Sequence, residues 1–305
     1  MKQKILVSGL INIETTLKIE GFPVNYHPVY YPFFGVHSGV SGVGYNVSKA
    51  LSELGNEVDF LSLTGSDQGY DYTMSELKKD KIKPDYIYKG LKETPQSVIL
   101  YDNNGRRQIH VDLKDIQETA YPAELFQEAL SACSLACLCN INFSRAFLKP
   151  ARDSGKITAS DVHVLTDAYD PYNSDFMKGS DILFLSNEGC MGHEIEMAQK
   201  LQSLYHNKII VVGMGGSGAL LLVKEDDYTG VFPAVKTREI INTIGAGDAM
   251  FSAFIHIYLK SKDPYLSLKK AIVFASYKIG EKGAAEGFLN NSELDNWTDK
   301  IYQEG

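Results

Sequence analysis

The chain of 305 residues is short of several things, and each shortage removes a class of function. It has only four cysteines. Cys133, Cys137 and Cys139 crowd into one apolar stretch without the paired two-residue spacing of a zinc site. They read as buried, inert thiols, which points to a reducing cytoplasm as the compartment. No apolar run approaches the roughly 20 residues that cross a bilayer, and Met1 to Val7 offers no apolar segment long enough for a signal peptide. Lysine and arginine total 30 against 38 aspartates and glutamates, a net charge of −8 with no basic block. Neither nucleic acid nor an anionic membrane is therefore expected as a partner. No Gly-x-x-x-x-Gly-Lys-Ser/Thr segment occurs, so there is no P-loop.

Hydrophobic residues make up 44% of the chain, enough for a sizeable core. Short apolar stretches alternate with amphipathic ones. Strands are expected at 5–8, 58–63, 135–140, 162–166, 182–185 and 209–213. Helices are expected at 44–54, 70–79, 144–153, 194–204, 246–260 and 266–282, with a short tail helix after them. This alternation predicts a mainly parallel sheet flanked by helices. Two segments interrupt it. Residues 13–39 are rich in Tyr, Phe, Pro and Val and read as strands with turns. Residues 97–111 carry Asn103-Asn104-Gly105 between two strand-like runs, a strong hairpin signal because Asn and Gly tolerate positive φ. Together they predict a small β lid on a single domain spanning residues 1–305.

The chemistry concentrates in Asn242-Thr243-Ile244-Gly245-Ala246-Gly247-Asp248, which runs into an apolar helix. Glycines at a helix N-terminus leave backbone N–H groups unpaired at the positive end of the dipole, a natural cradle for phosphate. Asp248 sits in the first turn beside that cradle. On spacing alone it reads either as a helix cap or as a base for a hydroxyl attacking a bound phosphate. Gly213-Met214-Gly215-Gly216-Ser217-Gly218 matches the dinucleotide fingerprint in form. A second apolar strand, Ala219 to Val223, follows it where that fold needs a helix.

Taken together, these segments resemble the PfkB/ribokinase family. Asn242 to Asp248 is similar to its second signature, Asp-Thr-x-Gly-Ala-Gly-Asp. Gly42-Val43-Gly44-Tyr45-Asn46 is similar to the first. Gly9 to Glu14, Gly65-Ser66-Asp67-Gln68-Gly69, Asn187-Glu188 and Lys282-Gly283-Ala284 follow the family's order and spacing. The resemblance implies a ribokinase-like three-layer α/β/α core with a β lid, and transfer of phosphate from ATP with Mg²⁺ to a hydroxymethyl group of a sugar, with a nucleoside as the alternative acceptor. A non-catalytic binding protein on the same scaffold is the other alternative. The resemblance assigns Asp248 as base and Gly245, Ala246 and Gly247 as anion hole. It assigns Asn12 and Glu14, at the end of the first strand, to substrate hydroxyls, together with Gly42, Gly44 and Asn46. Asn187, Gly215, Gly218, Thr243 and Gly283 fall to the nucleotide. Asn242 and the Ile244 carbonyl fall to a monovalent cation such as K⁺, and Glu188 to magnesium through water.

Four positions depart from the family's pattern. Glu14 replaces an Asp, Ser41 a Gly, Asn242 an Asp, and Cys190 the Glu that closes Asn-x-x-Glu. Loss of the carboxylate at 242 predicts weak or absent activation by K⁺. The thiol at 190 is a poor ligand for a hard cation, so Glu188 is expected to compensate. The aromatic stretch Tyr26, Tyr30, Tyr31, Phe33 and Phe34 is expected in the lid, as lid core or as a contact between two lids in a homodimer, with stacking on a base or sugar face as the alternative.

Overall fold

The computed structural model describes residues 3–303. In chain order the strands are β1 (Lys4–Ser8), β2 (Asn12–Lys18), β3 (Val36–Ser41), β4 (Glu57–Thr64), β5 (Ile87–Lys89), β6 (Gln96–Tyr101) and β7 (Arg107–Asp112). They continue with β8 (Leu135–Leu138), β9 (Ile157–Val164), β10 (Ile182–Ser186), β11 (Ile209–Gly213), β12 (Ala219–Val223) and β13 (Tyr228–Phe232). The helices are α1 (Val43–Glu53), α2 (Gln68–Lys79), α3 (Ala123–Ala132), α4 (Asn142–Arg145) and α5 (Leu148–Asp153). The rest are α6 (Ser174–Gly179), α7 (Glu194–Tyr205), α8 (Ala246–Ser261), α9 (Pro264–Lys278) and α10 (Asn291–Gln303).

Nine strands form the main sheet in the order β13-β12-β11-β10-β9-β8-β1-β4-β5. It is parallel from β11 to β5, and β12 and β13 close one edge antiparallel. Two hydrophobic clusters, one holding Ile5, Val7 and Phe184 and the other Leu6, Leu183 and Leu185, show alternate residues of one strand packing to opposite faces. That two-sided cover explains why β8, β10, β11 and β12 are almost unbroken apolar runs. The chain winds from β1 to β5 in one direction and from β8 outward in the other. The switch lies between β1 and β8, where open α/β sheets bind ligands at the strand carboxyl ends.

A second sheet of four strands, β3-β2-β6-β7, is the lid expected from the interrupting segments. The 97–111 hairpin closes with Gly105 at φ 78°, and the Asp102 carboxylate accepts the Asn104 and Arg106 N–H groups. Residues 19–35 differ from expectation: they form no strand, and Tyr26, Tyr31, Phe33 and Phe34 are exposed instead of filling a lid core.

Other boundaries also moved. The strand expected at 162–166 is β9, which begins at Ile157 because pairing with both β8 and β10 extends it. The helix expected at 144–153 is two short ones. The helix expected to end at 282 stops at Lys278, after which residues 279–290 loop back past the site. The second strand after the glycine turn is present as β12, antiparallel to β11, so no dinucleotide-type helix follows that turn.

Candidate active site

Close backbone packing positions Asp248. Gly42 adopts φ 104°, and a Cβ there would lie 2.6 Å from the Leu10 carbonyl oxygen. A Cβ on Gly44 would lie 2.5 Å from the Gly9 carbonyl carbon. On the side a Cβ would occupy, these glycines permit close approach by the chain itself: α1 seats on the segment leaving β1. Helix α1 then aims the Asn46 amide at Asp248, donating from Nδ2 to Oδ2 over 2.7 Å. The Asp248 carboxyl is buried, and burial pushes its pKa up. The Asn46 hydrogen bond and the nearby His163 act against that, and Asp161 of β9 adds to it.

Gly245 is the N-cap of α8, at φ 75°, in a left-handed conformation that favours glycine. A Cβ there would lie 2.4 Å from the Ala284 carbonyl oxygen. The Ala246 N–H, expected in the anion hole, is already taken by the Thr243 carbonyl at 3.2 Å. Among the described residues no acceptor takes the N–H of Gly245, Gly247 or Asp248, and these three remain as the cradle.

Asn12 and Glu14 do not end the first strand. β1 stops at Ser8, and both residues belong to lid strand β2, opposite Ser41 and Gly39 of β3. Asn12 Nδ2 donates to Ser97 Oγ over 2.7 Å, while its Oδ1 is buried without a partner. A buried acceptor left unpaired is costly, and a ligand hydroxyl would satisfy it. Burial raises the Glu14 pKa, opposed by the Ser41 hydroxyl, Lys278 and His37, with Asp248 adding to the rise. A cavity of about 230 Å³ opens beside Glu14, between β3, α1, α2 and the turn at 283–286.

The flank on the far side of the glycine turn is more open. Asn187 follows β10 and donates to the Glu194 carboxylate at 2.9 Å. Cys190 is buried, and the carboxylate joined to Asn187 is that of Glu194, which the sequence reading did not single out. The Glu188 side chain instead lies 3.8 Å from Arg107 of the lid, and Arg107 donates to the Thr243 hydroxyl over 3.1 Å. Gly215 faces open space, whereas Gly218 is pressed against the Phe232 carbonyl. Gly283 lines the Glu14 cavity, and its N–H donates to Glu286 at 3.0 Å. The carboxylates of Glu188 and Glu194 suit magnesium, a hard ion that keeps several waters and takes few protein ligands.

The set expected for a monovalent cation does not fit one. Asn242 Oδ1 accepts the Ile244 N–H at 2.9 Å, and its Nδ2 donates to the Lys282 carbonyl at 3.1 Å. The Ile244 carbonyl accepts from the Lys278 ammonium, which is fully buried. Burial pushes the Lys278 pKa down to about 8, although Asp248, Glu14 and Glu286 all favour the charged form. Sequence reasoning passed over Lys278, Arg107, Glu194, Asp161 and Ser97. A signal for Lys278 existed: Ala271, Phe274 and Lys278 follow helical spacing on the buried stripe of α9.

A model of the pfkB family of carbohydrate kinases matches residues 2–291. This chain belongs to that family. A fructosamine kinase of Bacillus subtilis is 23% identical over 80% of this chain and 84% of its own. A ribokinase of Dictyostelium discoideum is 22% identical over 97% of this chain and 100% of its own. In three dimensions a microbiome-derived acarbose kinase superimposes with a TM-score of 0.87 at 19% identity, covering 98% of this chain and 99% of the other. The ribokinase-like core and lid are thus shared with solved kinases of low sequence identity.

Proposed function

We propose that this pfkB-family kinase transfers the γ-phosphate of ATP to a hydroxymethyl group of a sugar or sugar-like substrate, with Asp248 as the base. The observation that carries the reading is a buried carboxylate, held by Asn46, beside three free N–H groups at a helix N-terminus. A hydroxyl resting on Asp248 gives up its proton to the carboxylate as its oxygen bonds to the γ-phosphorus. The bond to the β-phosphate oxygen breaks, and ADP leaves with that electron pair. The N–H groups of Gly245 and Gly247 face the charge that develops. Asn12 Oδ1 accepts a second hydroxyl and sets the ring's orientation. The raised pKa of Asp248 brings it closer to the working pH, where a base is most effective. Arg107 and Thr243 stand where the lid meets the glycine turn, and closure there excludes water. Glu188 and Glu194 would hold magnesium arriving with ATP, and the ion would supply positive charge to the phosphates.

The test is a coupled ADP-release assay of the wild type over a panel of sugars and nucleosides, with Asp248→Asn in parallel. Sugar-dependent ADP release that the variant loses is the expected result. A variant that keeps more than half of the activity removes Asp248 as base, and release dependent on nucleosides alone replaces the acceptor class.

A further inference from the structure

We infer that the Lys278 ammonium is this chain's own resident monovalent cation, seated on the Ile244 carbonyl behind the phosphate cradle. Lysine is almost never fully buried unless paired, and Lys278 has no exposed surface. Its hydrogen-bond acceptor is the carbonyl of the residue that precedes Gly245. That carbonyl and the Gly245 N–H belong to one planar trans peptide and point in opposite directions. Drawing the carbonyl toward the ammonium therefore turns the Gly245 N–H the other way, into the cradle, and places a positive charge behind it. Lys278 is a positioning residue in this scheme and touches no reacting atom.

The surroundings leave no room for a second cation. An ammonium and K⁺ carry the same single charge and both seek oxygen, so one excludes the other at this spot. The Asn242 amide oxygen is engaged by the Ile244 N–H, and the amide nitrogen holds the Lys282 carbonyl. Glu14, Asp248 and Glu286 are the carboxylates whose charge the ammonium balances. The shortage of negative charge at 242 is thus matched by a lysine supplied from α9. Asn242→Asp alone gains no K⁺ response, because Lys278 still holds the carbonyl.

This rests on the proposed kinase site, so the test has an arm that needs no substrate. The first measurement compares thermal unfolding midpoints in potassium and in tetramethylammonium chloride at equal ionic strength. The wild type shows no difference, whereas Lys278→Met gains a midpoint that rises with K⁺, since an ion that binds the folded state alone stabilises it. Lys278→Gln, which keeps a polar tip, serves if the methionine variant fails to fold. The second measurement is turnover on whichever acceptor the panel identifies. Wild-type rates agree within about twofold in the two salts, a difference well below the tenfold that 1.4 kcal/mol represents. Lys278→Met loses about 10²-fold in kcat, the scale of one lost anion-hole donor, and K⁺ or ammonium restores part of it. Saturable activation of the wild type by K⁺, or a K⁺-specific rise of its midpoint, overturns the inference. A folded Lys278→Met that ignores K⁺ in both measurements overturns it as well.

Discussion

Asp248, Asn46 and Lys278 are buried, and each is tied to a residue on another element. Glu188 and Arg107, across the glycine turn, are partly in solvent and meet at 3.8 Å, too far for a hydrogen bond. The first group forms a floor with one geometry, set before any ligand arrives. The second forms a flank whose side chains are free to rearrange, and the proposed function places the nucleotide there. Substitutions on the floor are therefore expected to act on kcat, and those on the flank on the apparent affinity for ATP and magnesium.

The largest effect is expected at Asp248, the proposed base. Asp248→Asn lowers kcat by about 10²–10⁴-fold or more, while ATP binding measured by calorimetry stays close to wild type. The unfolding midpoint of that variant is equal or higher, because burial disfavours the carboxylate it removes. A large fall in the midpoint would make the floor a scaffold and not a poised site.

Gly245→Ala comes next. The left-handed φ and the Ala284 carbonyl 2.4 Å from the new Cβ force the turn to shift. A loss of about 10²-fold in kcat is expected, with KM for the sugar little changed. An unchanged kcat would show that the turn tolerates displacement.

On the flank, Arg107→Ala is expected to raise KM for ATP by about 10-fold, the scale of one charge-assisted hydrogen bond, and to leave the unfolding midpoint unchanged. Glu194→Gln is expected to raise the magnesium concentration needed for half-maximal rate by several-fold, and Glu188→Gln to do so less. Equal responses at both positions would remove the priority given to Glu194 by its bond to Asn187.

The smallest effect is a displaced pH profile. A proposed base must be ionised, so kcat/KM is expected to fall as pH drops through the raised pKa of Asp248. Asn46→Ala removes the hydrogen bond that favours the ionised form, and the acid limb moves to higher pH. A limb that stays in place, or moves down, would mean that another group controls it.

The chain order of apolar runs determined the parallel sheet, because strands covered on both faces must be apolar throughout and helices between them must be amphipathic. The Asn-Asn-Gly turn determined the lid hairpin, and Gly245 to Asp248 marked the left-handed turn that opens α8, since these depend on backbone geometry that local sequence dictates. Tertiary structure decided what lies next to them. Gly42 and Gly44 proved to seat α1 on Gly9 and Leu10, a contact between segments some 30 residues apart that no local pattern reveals. Glu194 came to partner Asn187 because the chain turns through Cys190 into α7, whose first residue is Glu194. Lys278 reached the back of the cradle because α8 and α9 pack together, bringing the end of one helix to the start of the other. Sequence spacing could put that lysine on a buried stripe; only the tertiary packing could give its charge a carbonyl and three carboxylates to serve.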